Sequence, residues 1–255
     1  MTWTYCLKSL IDPFHNEFVN IWVYIVFALY FWVQSFLILG KSSVYEFNND
    51  DDYYFMFVGT VGIALSLTAT AVYLTFYSIG EKEQQMLESY NYMGLLIFCY
   101  SLTFCFVASE DATTPVYFYV CFFTVIILGV NLVLVQYDIG RLVSFWCTLA
   151  WIGLMFLVGL IICNKHQLLV FFLPMLVEGL LLGLAILLVA FRAPERWFLD
   201  NRFIQLYCNS YIIYTILFIN FCFEVQNILY LTLKLNSGNL SDDETWWKLS
   251  NIYWE

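Results

Sequence analysis

Seven long apolar runs alternate with short polar breaks along the 255-residue chain. The runs are Val19–Leu39, Tyr54–Tyr77, Tyr92–Ala108, Val116–Val135, Leu142–Cys163, Leu168–Phe191 and Ile204–Leu233. Each approaches the length needed to cross a hydrocarbon layer, about 20 residues. Lipid offers no partner to a free backbone N–H or C=O, so each run predicts a helix. The breaks hold Gly40 and Lys41, Asn48 to Asp52, Glu81 to Glu88, Glu110 and Asp111, Asp138 to Arg141, Asn164 to His166, and residues 193–203. Pro115 suits a helix start, where its missing N–H removes nothing. Pro174 lies about two turns inside the sixth run and is expected to bend it.

This pattern divides the chain into an N-terminal segment, 1–18, a seven-helix transmembrane domain, 19–233, and a tail, 234–255. The first 18 residues are mixed and polar, so the first run is expected to act as an uncleaved anchor. The tail is acidic and carries Trp246, Trp247 and Trp254. It reads either as an interfacial helix or as a docking tail for a partner.

Composition supports the membrane reading. The chain is 62% hydrophobic and 12% charged, against about 45–50% and about 25% in soluble domains. The fold class expected is therefore an all-α integral membrane protein, a seven-transmembrane helix bundle. A net charge of -10 argues against nucleic acid and against docking on anionic headgroups. Eight scattered cysteines without a C-x-x-C pair argue against a disulfide framework or a zinc ribbon. Basic residues set the orientation. Lys8, Lys82, Arg141, Arg192, Arg196 and Arg202 fall on the N-terminal side, and Lys41, Lys165, Lys234 and Lys248 on the other. The N-terminus is therefore expected in the cytosol and the C-terminus outside, in the plasma membrane or an endomembrane such as the Golgi or ER. Asn239, in Asn239-Leu240-Ser241, is a glycosylation acceptor pattern on the outer side.

Three patches stand together on the expected cytosolic side. The first is His15-Asn16-Glu17-Phe18-Val19-Asn20-Ile21-Trp22. The second joins Tyr73-Leu74-Thr75-Phe76 to Asn91-Tyr92-Met93-Gly94. The third is Pro194-Glu195-Arg196-Trp197-Phe198, followed by Asn209-Ser210-Tyr211-Ile212-Ile213-Tyr214-Thr215. They resemble, in order, the H-N-E-T-x-N-I-W-T-H, Y-H-x-F with D-Y-x-G-I, and P-E-R-x-F with H-S-H-Q-x-F-H motifs of the progestin and adipoQ receptor (PAQR) family. That family includes the hemolysin III-like proteins. The likeness runs over residues 12–230 or so.

The resemblance implies a zinc ion held by three histidines, one ending helix two and two beginning helix seven. An acid at the start of helix three would help activate a zinc-bound water for amide hydrolysis of a lipid such as a ceramide. The ligand positions here read Leu74, Tyr211 and Thr215, and the acid position reads Asn91. Leucine and threonine are not zinc ligands, tyrosine is a rare one, and an amide is no general base. The chain's two histidines, His15 and His166, are expected on opposite membrane faces. The expectation is no metal, no cofactor and no hydrolase chemistry.

If the fold is kept, Leu74, Asn91, Tyr211 and Thr215 either line a pocket for a sterol, fatty acid or ceramide-like ligand or simply pack together. Glu178 and Glu224 are intramembrane acids that contact a ligand, ion or partner, or else hold helices together. Gln34, Asn131, Asn220 and Asn227 read chiefly as helix-to-helix bonds. Asn16 and Glu17 suit capping of helix one, with His15 and Asn20 beside them. Pro194, Glu195 and Arg196 suit a fixed loop between helices six and seven. Three functions remain: a receptor-like, lipid-binding pseudoenzyme; an accessory subunit holding a protein partner in the membrane; and a zinc-independent lipid amidase. Membrane lipids are partners in all three.

Overall fold

The computed structural model describes residues 18–42, 50–76, 81–110, 115–137, 173–197 and 209–236, with positions 7, 10, 11, 45, 47, 140, 143, 144, 146–148, 150, 151, 153 and 154. Among the described residues every regular element is helical. We label the long helices α1 (Phe18–Leu39), α2 (Asp50–Phe76), α3 (Glu81–Glu110), α4 (Pro115–Leu134), α5 (Leu173–Phe191) and α6 (Ser210–Asn236). The described positions between 143 and 154 are helical as well. Among the described residues three helices are long and apolar enough to cross a membrane, Phe18–Leu39, Asp52–Phe76 and Ser210–Lys234; Phe122–Leu134 and Leu176–Phe191 are shorter apolar helices.

Two polar breaks fold differently from the expectation. Glu81 to Glu88 is not a break but the start of α3, and α2 begins at Asp50. Glu, Lys, Gln and Met are good helix formers, so hydropathy marked where lipid contact begins and not where the helix begins. Pro174 is the second described residue of α5, and the expected bend falls on the residues before it, which lie outside the described ones.

Helices α1, α2 and α3 pack in sequence, and α6 lies against all three and against α5. Their shared core joins Tyr24, Ala28 and Phe31 of α1, Ile63 and Leu67 of α2, Phe98 of α3, and Phe218, Ile219 and Cys222 of α6. Phe98 meets Phe218 and Phe221 edge-on, at centroid distances of 5.9 Å and 6.2 Å. α3 also packs on α4, where Asn131 Nδ2 donates to the Tyr100 hydroxyl at 2.6 Å.

The α2–α3 contact is unusually close. A Cβ on Gly94 would lie 2.7 Å from Ala69 Cβ and 3.3 Å from Ser66 Cα; one on Gly62 would lie 2.6 Å from Ser101 Cβ. Helices in lipid gain attraction by such backbone approach, because burying apolar side chains there gains nothing over lipid.

The opposite end of the bundle is closed by aromatic rings. Ile38, Phe47, Phe55, Met56, Leu229 and Leu233 are buried together. Tyr53 donates its hydroxyl to Tyr45 O at 2.6 Å, and Tyr45 donates to Gln34 Oε1. Lys41 Nζ sits 5.7 Å from the Tyr53 ring and Lys234 Nζ 5.0 Å from the Tyr230 ring, so both cations rest on π faces. Lys41 is left-handed, φ 48, and Ser42 N returns to Leu37 O at 3.0 Å, a helix end usually given to glycine.

Two predictions follow from this packing. Gly94→Val should destabilise the chain by about 1–3 kcal/mol, since the new side chain meets Ala69 Cβ and the Ser66 backbone. Gly183→Ala should be neutral or stabilising, because nothing lies within 4 Å of a Cβ there; thermal unfolding in detergent compares the two. The second concerns the Tyr45 phenol, which burial, followed by the neighbouring Tyr30 and Tyr230, pushes up to about 12 from 10.0. Its neutral form favours the folded state, so stability holds below pH 10 and falls between pH 10 and 12. Tyr45→Phe should flatten that part of a melting-temperature profile against pH.

Candidate functional site

The end of α2, the first third of α3 and the start of α6 converge above the four-helix core. Antiparallel pairing of α2 and α3 brings Thr70 opposite Asn91, and Thr70 Oγ1 donates to Asn91 Oδ1 at 2.8 Å. Leu74, one turn beyond Thr70, packs against the core that contains Phe218. α3 and α6 meet at Phe98 and Phe218. Asn91 and Tyr211 each precede that contact by seven residues, about 10 Å along the axis at 1.5 Å per residue. All four candidate positions therefore lie toward one end of the bundle. Asn20, 2% exposed at the start of α1, stands at the same end, because α1 runs antiparallel to α2.

Local rules explain how α6 begins. Asn209 caps it: Ile212 N donates to Asn209 Oδ1 at 2.9 Å and to Asn209 O at 3.1 Å. The capping side chain adds a shorter bond to an amide that otherwise makes only the longer contact to Asn209 O. Ser210 and Ile212 are buried, so the first turn is seated in the bundle. Thr215 is 3% exposed and its Oγ1 donates to Tyr211 O at 2.8 Å. Tyr211 is 51% exposed. The spacing of Tyr211 and Thr215 alone suggested a shared pocket-facing side; the environment of the two is unequal, since Tyr211 sits at the rim where fewer helices surround it. Asn91 likewise stands well inside α3, not at its start, because α3 begins at Glu81.

The other sequence-chosen residues fall in three groups. Glu178 of α5 is buried and accepts from Asn220 Nδ2 of α6 at 3.1 Å; Glu224 lies one turn along from Asn220 and is half-buried. Pro194, Glu195 and Arg196 form a tight turn. Arg192 is left-handed, φ 50, Arg196 N bonds Arg192 O at 2.9 Å, and Glu195–Trp197 is a short 3-10 helix. Arg196 is exposed. His15, Asn16, Glu17, Asn239 and the Trp-rich tail lie outside the described residues.

The donor set at this end does not fit a zinc ion. Leu74 offers no lone pair, Asn91 Oδ1 already accepts from Thr70, and the Thr215 hydroxyl is turned onto its own helix. Among the described residues no group of three His, Cys, Asp or Glu side chains stands close enough to hold a metal. The arrangement is an apolar wall, Leu74 and Tyr214, edged by amide and hydroxyl groups that are already bonded. Sequence reasoning did not single out Thr70 or Tyr214. Thr70 is one turn before Leu74, which was the available signal.

The family of haemolysin-III related proteins matches residues 13–232 of the chain. No curated protein matches it.

Asn209→Ala should cost about 1 kcal/mol by removing the side-chain bond to the Ile212 amide and leaving it only the longer one to the backbone. Asn209→Asp should retain the stability, since a carboxylate caps as well and suits the helix dipole. Thermal melts of the two variants in the same nanodiscs check this.

Proposed function

This chain belongs to the haemolysin-III related family, and from that premise we propose that it is a receptor-like, lipid-binding membrane protein without hydrolase chemistry. The observation that supports this most is the state of the side chains where the family resemblance implies imidazoles and an acid. Leu74 faces the core, Asn91 is engaged by Thr70, and Thr215 is bonded to Tyr211 O. None of them can activate a water. What they leave is a mostly apolar surface with few polar groups, the kind of lining that suits a sterol, a fatty acid or a ceramide-like chain. Tyr211, half-exposed at the rim, would be the group such a ligand meets on entry. The seven-span topology and cytosolic N-terminus expected from the sequence belong to the same reading.

A second reading, an accessory subunit, draws on α6. Asn227 is exposed on that helix, two turns beyond the Asn220 that bonds Glu178, and an amide on an outward face at membrane depth favours a neighbouring helix.

Photoreactive ceramide, sterol and fatty-acid analogues, added to the purified chain in nanodiscs, test the first reading. Saturable labelling is expected on peptides holding Leu74 or Thr215, weakened about tenfold by Thr215→Phe, a loss of about 1.4 kcal/mol. Absence of saturable labelling overturns lipid binding at this site. One zinc per chain by elemental analysis overturns the lost-metal reading. Stoichiometric copurification of a protein partner that Asn227→Leu abolishes favours the second reading.

A further inference from the structure

Four buried polar atoms without a hydrogen-bond partner lie where α3, α4 and the helical positions 144–151 pack, three of them on residues that border Tyr100. They are Asn131 Oδ1, Ser144 Oγ, Thr148 Oγ1 and Trp151 Nε1. Ser144, Thr148 and Trp151 are spaced four and three residues apart, which puts them on one helical face. That face looks toward α3: Trp151 packs beside the buried Tyr100, Leu96 and Val135, and Thr148 adjoins the Tyr100 hydroxyl without a bond of ordinary geometry. Asn131 uses its Nδ2 on Tyr100, and its buried oxygen has no partner. Tyr100 follows Asn91 by nine residues, so the cluster stands about 13 Å along α3 from the candidate site above.

Hydroxyls elsewhere in the bundle do not behave this way. Thr60, Thr68, Thr75 and Thr232 each donate to the carbonyl four residues back. Ser144 and Thr148 make no such bond. Dry, unpaired groups in such a setting are more costly than the bonds they forgo are favourable. Buried polar clusters of this kind are where proteins lodge ordered water or a ligand group.

We propose that Asn131, Ser144, Thr148 and Trp151, gathered around Tyr100, form a second binding site that holds an uncharged hydroxyl-bearing guest. The donor inventory defines the guest. Trp151 Nε1 only donates, Asn131 Oδ1 only accepts, and the two hydroxyls do either. The guest must therefore both accept and donate, as an O–H group does. None of the four side chains is charged, so neither a cation nor a carboxylate would be compensated there. Water and the alcohol head of a membrane lipid share this chemistry.

The full chain in nanodiscs provides the test. Ser144→Ala and Thr148→Val keep the shape and remove a hydroxyl. If the guest is present, each lowers the melting temperature by about 2–4 °C. If the groups are dry, each removal relieves an unpaired polar atom, and an unchanged or raised melting temperature overturns the proposal. The source is read separately. With indole-labelled tryptophan, magnetisation transfer from water to the Trp151 N–H, identified by its loss in Trp151→Phe, marks water. An alcohol-bearing lipid at about one per chain, released by denaturing extraction and lost in Thr148→Val, marks a lipid. Absence of both signals overturns the proposal whatever the melting temperatures do.

Discussion

Between α2 and α3 there is no space for a side chain at Gly62 or Gly94, and the rest of the bundle inherits its register from that approach. Two helices this close cannot slide, because each small residue faces one position on the other. The lock sets Thr70 against Asn91 and Gly62 against Ser101. It then fixes the height at which Phe98 meets Phe218 of α6. The candidate site is thus built from one tight seam and one aromatic contact, with the capped start of α6 as its third side.

A lipid surround decides what the polar side chains do. With no water to turn to, most described hydroxyls in the bundle bond to their own helix, as Thr75 and Thr215 do. Such bonds make threonine behave almost as an apolar residue on the surface it presents. Asn220 and Glu178 take the other course and bind α5 to α6. Where neither course is followed, at Ser144 and Thr148, a guest becomes the economical explanation.

Much of this was legible in the sequence, and the failures share a cause. The runs at Val19, Tyr54 and Ile204 anticipated α1, α2 and α6, because about 20 apolar residues in succession leave few alternatives. Pairing of Asn131 and Asn220 across helices was legible for the same reason: an amide in lipid needs a partner. Hydropathy measures the surroundings of a segment, not its backbone, so it placed the start of α3 at Tyr92 when the helix runs on through Glu81 to Ser89. Periodicity gave Tyr211 and Thr215 a common face but carried no information on which neighbours reach that face. Ser144, Thr148 and Trp151 had a readable spacing within an apolar run, yet their unpaired state depends on α3 and α4, which no single-helix pattern contains.

The length of α3 has a mechanical consequence. Its 30 residues measure about 45 Å, against a hydrocarbon layer of about 30 Å. The helix must lean or protrude, and its Glu81–Ser89 turns supply the charged, water-loving end that protrusion requires. A rigid rod held against α2 at both Gly94 and Ser101 moves with α2 as one piece, so a push on its charged end tilts the pair together. Leverage applied at the acidic tip would be delivered less than two turns beyond Gly94, at the tyrosine that anchors the inner polar cluster.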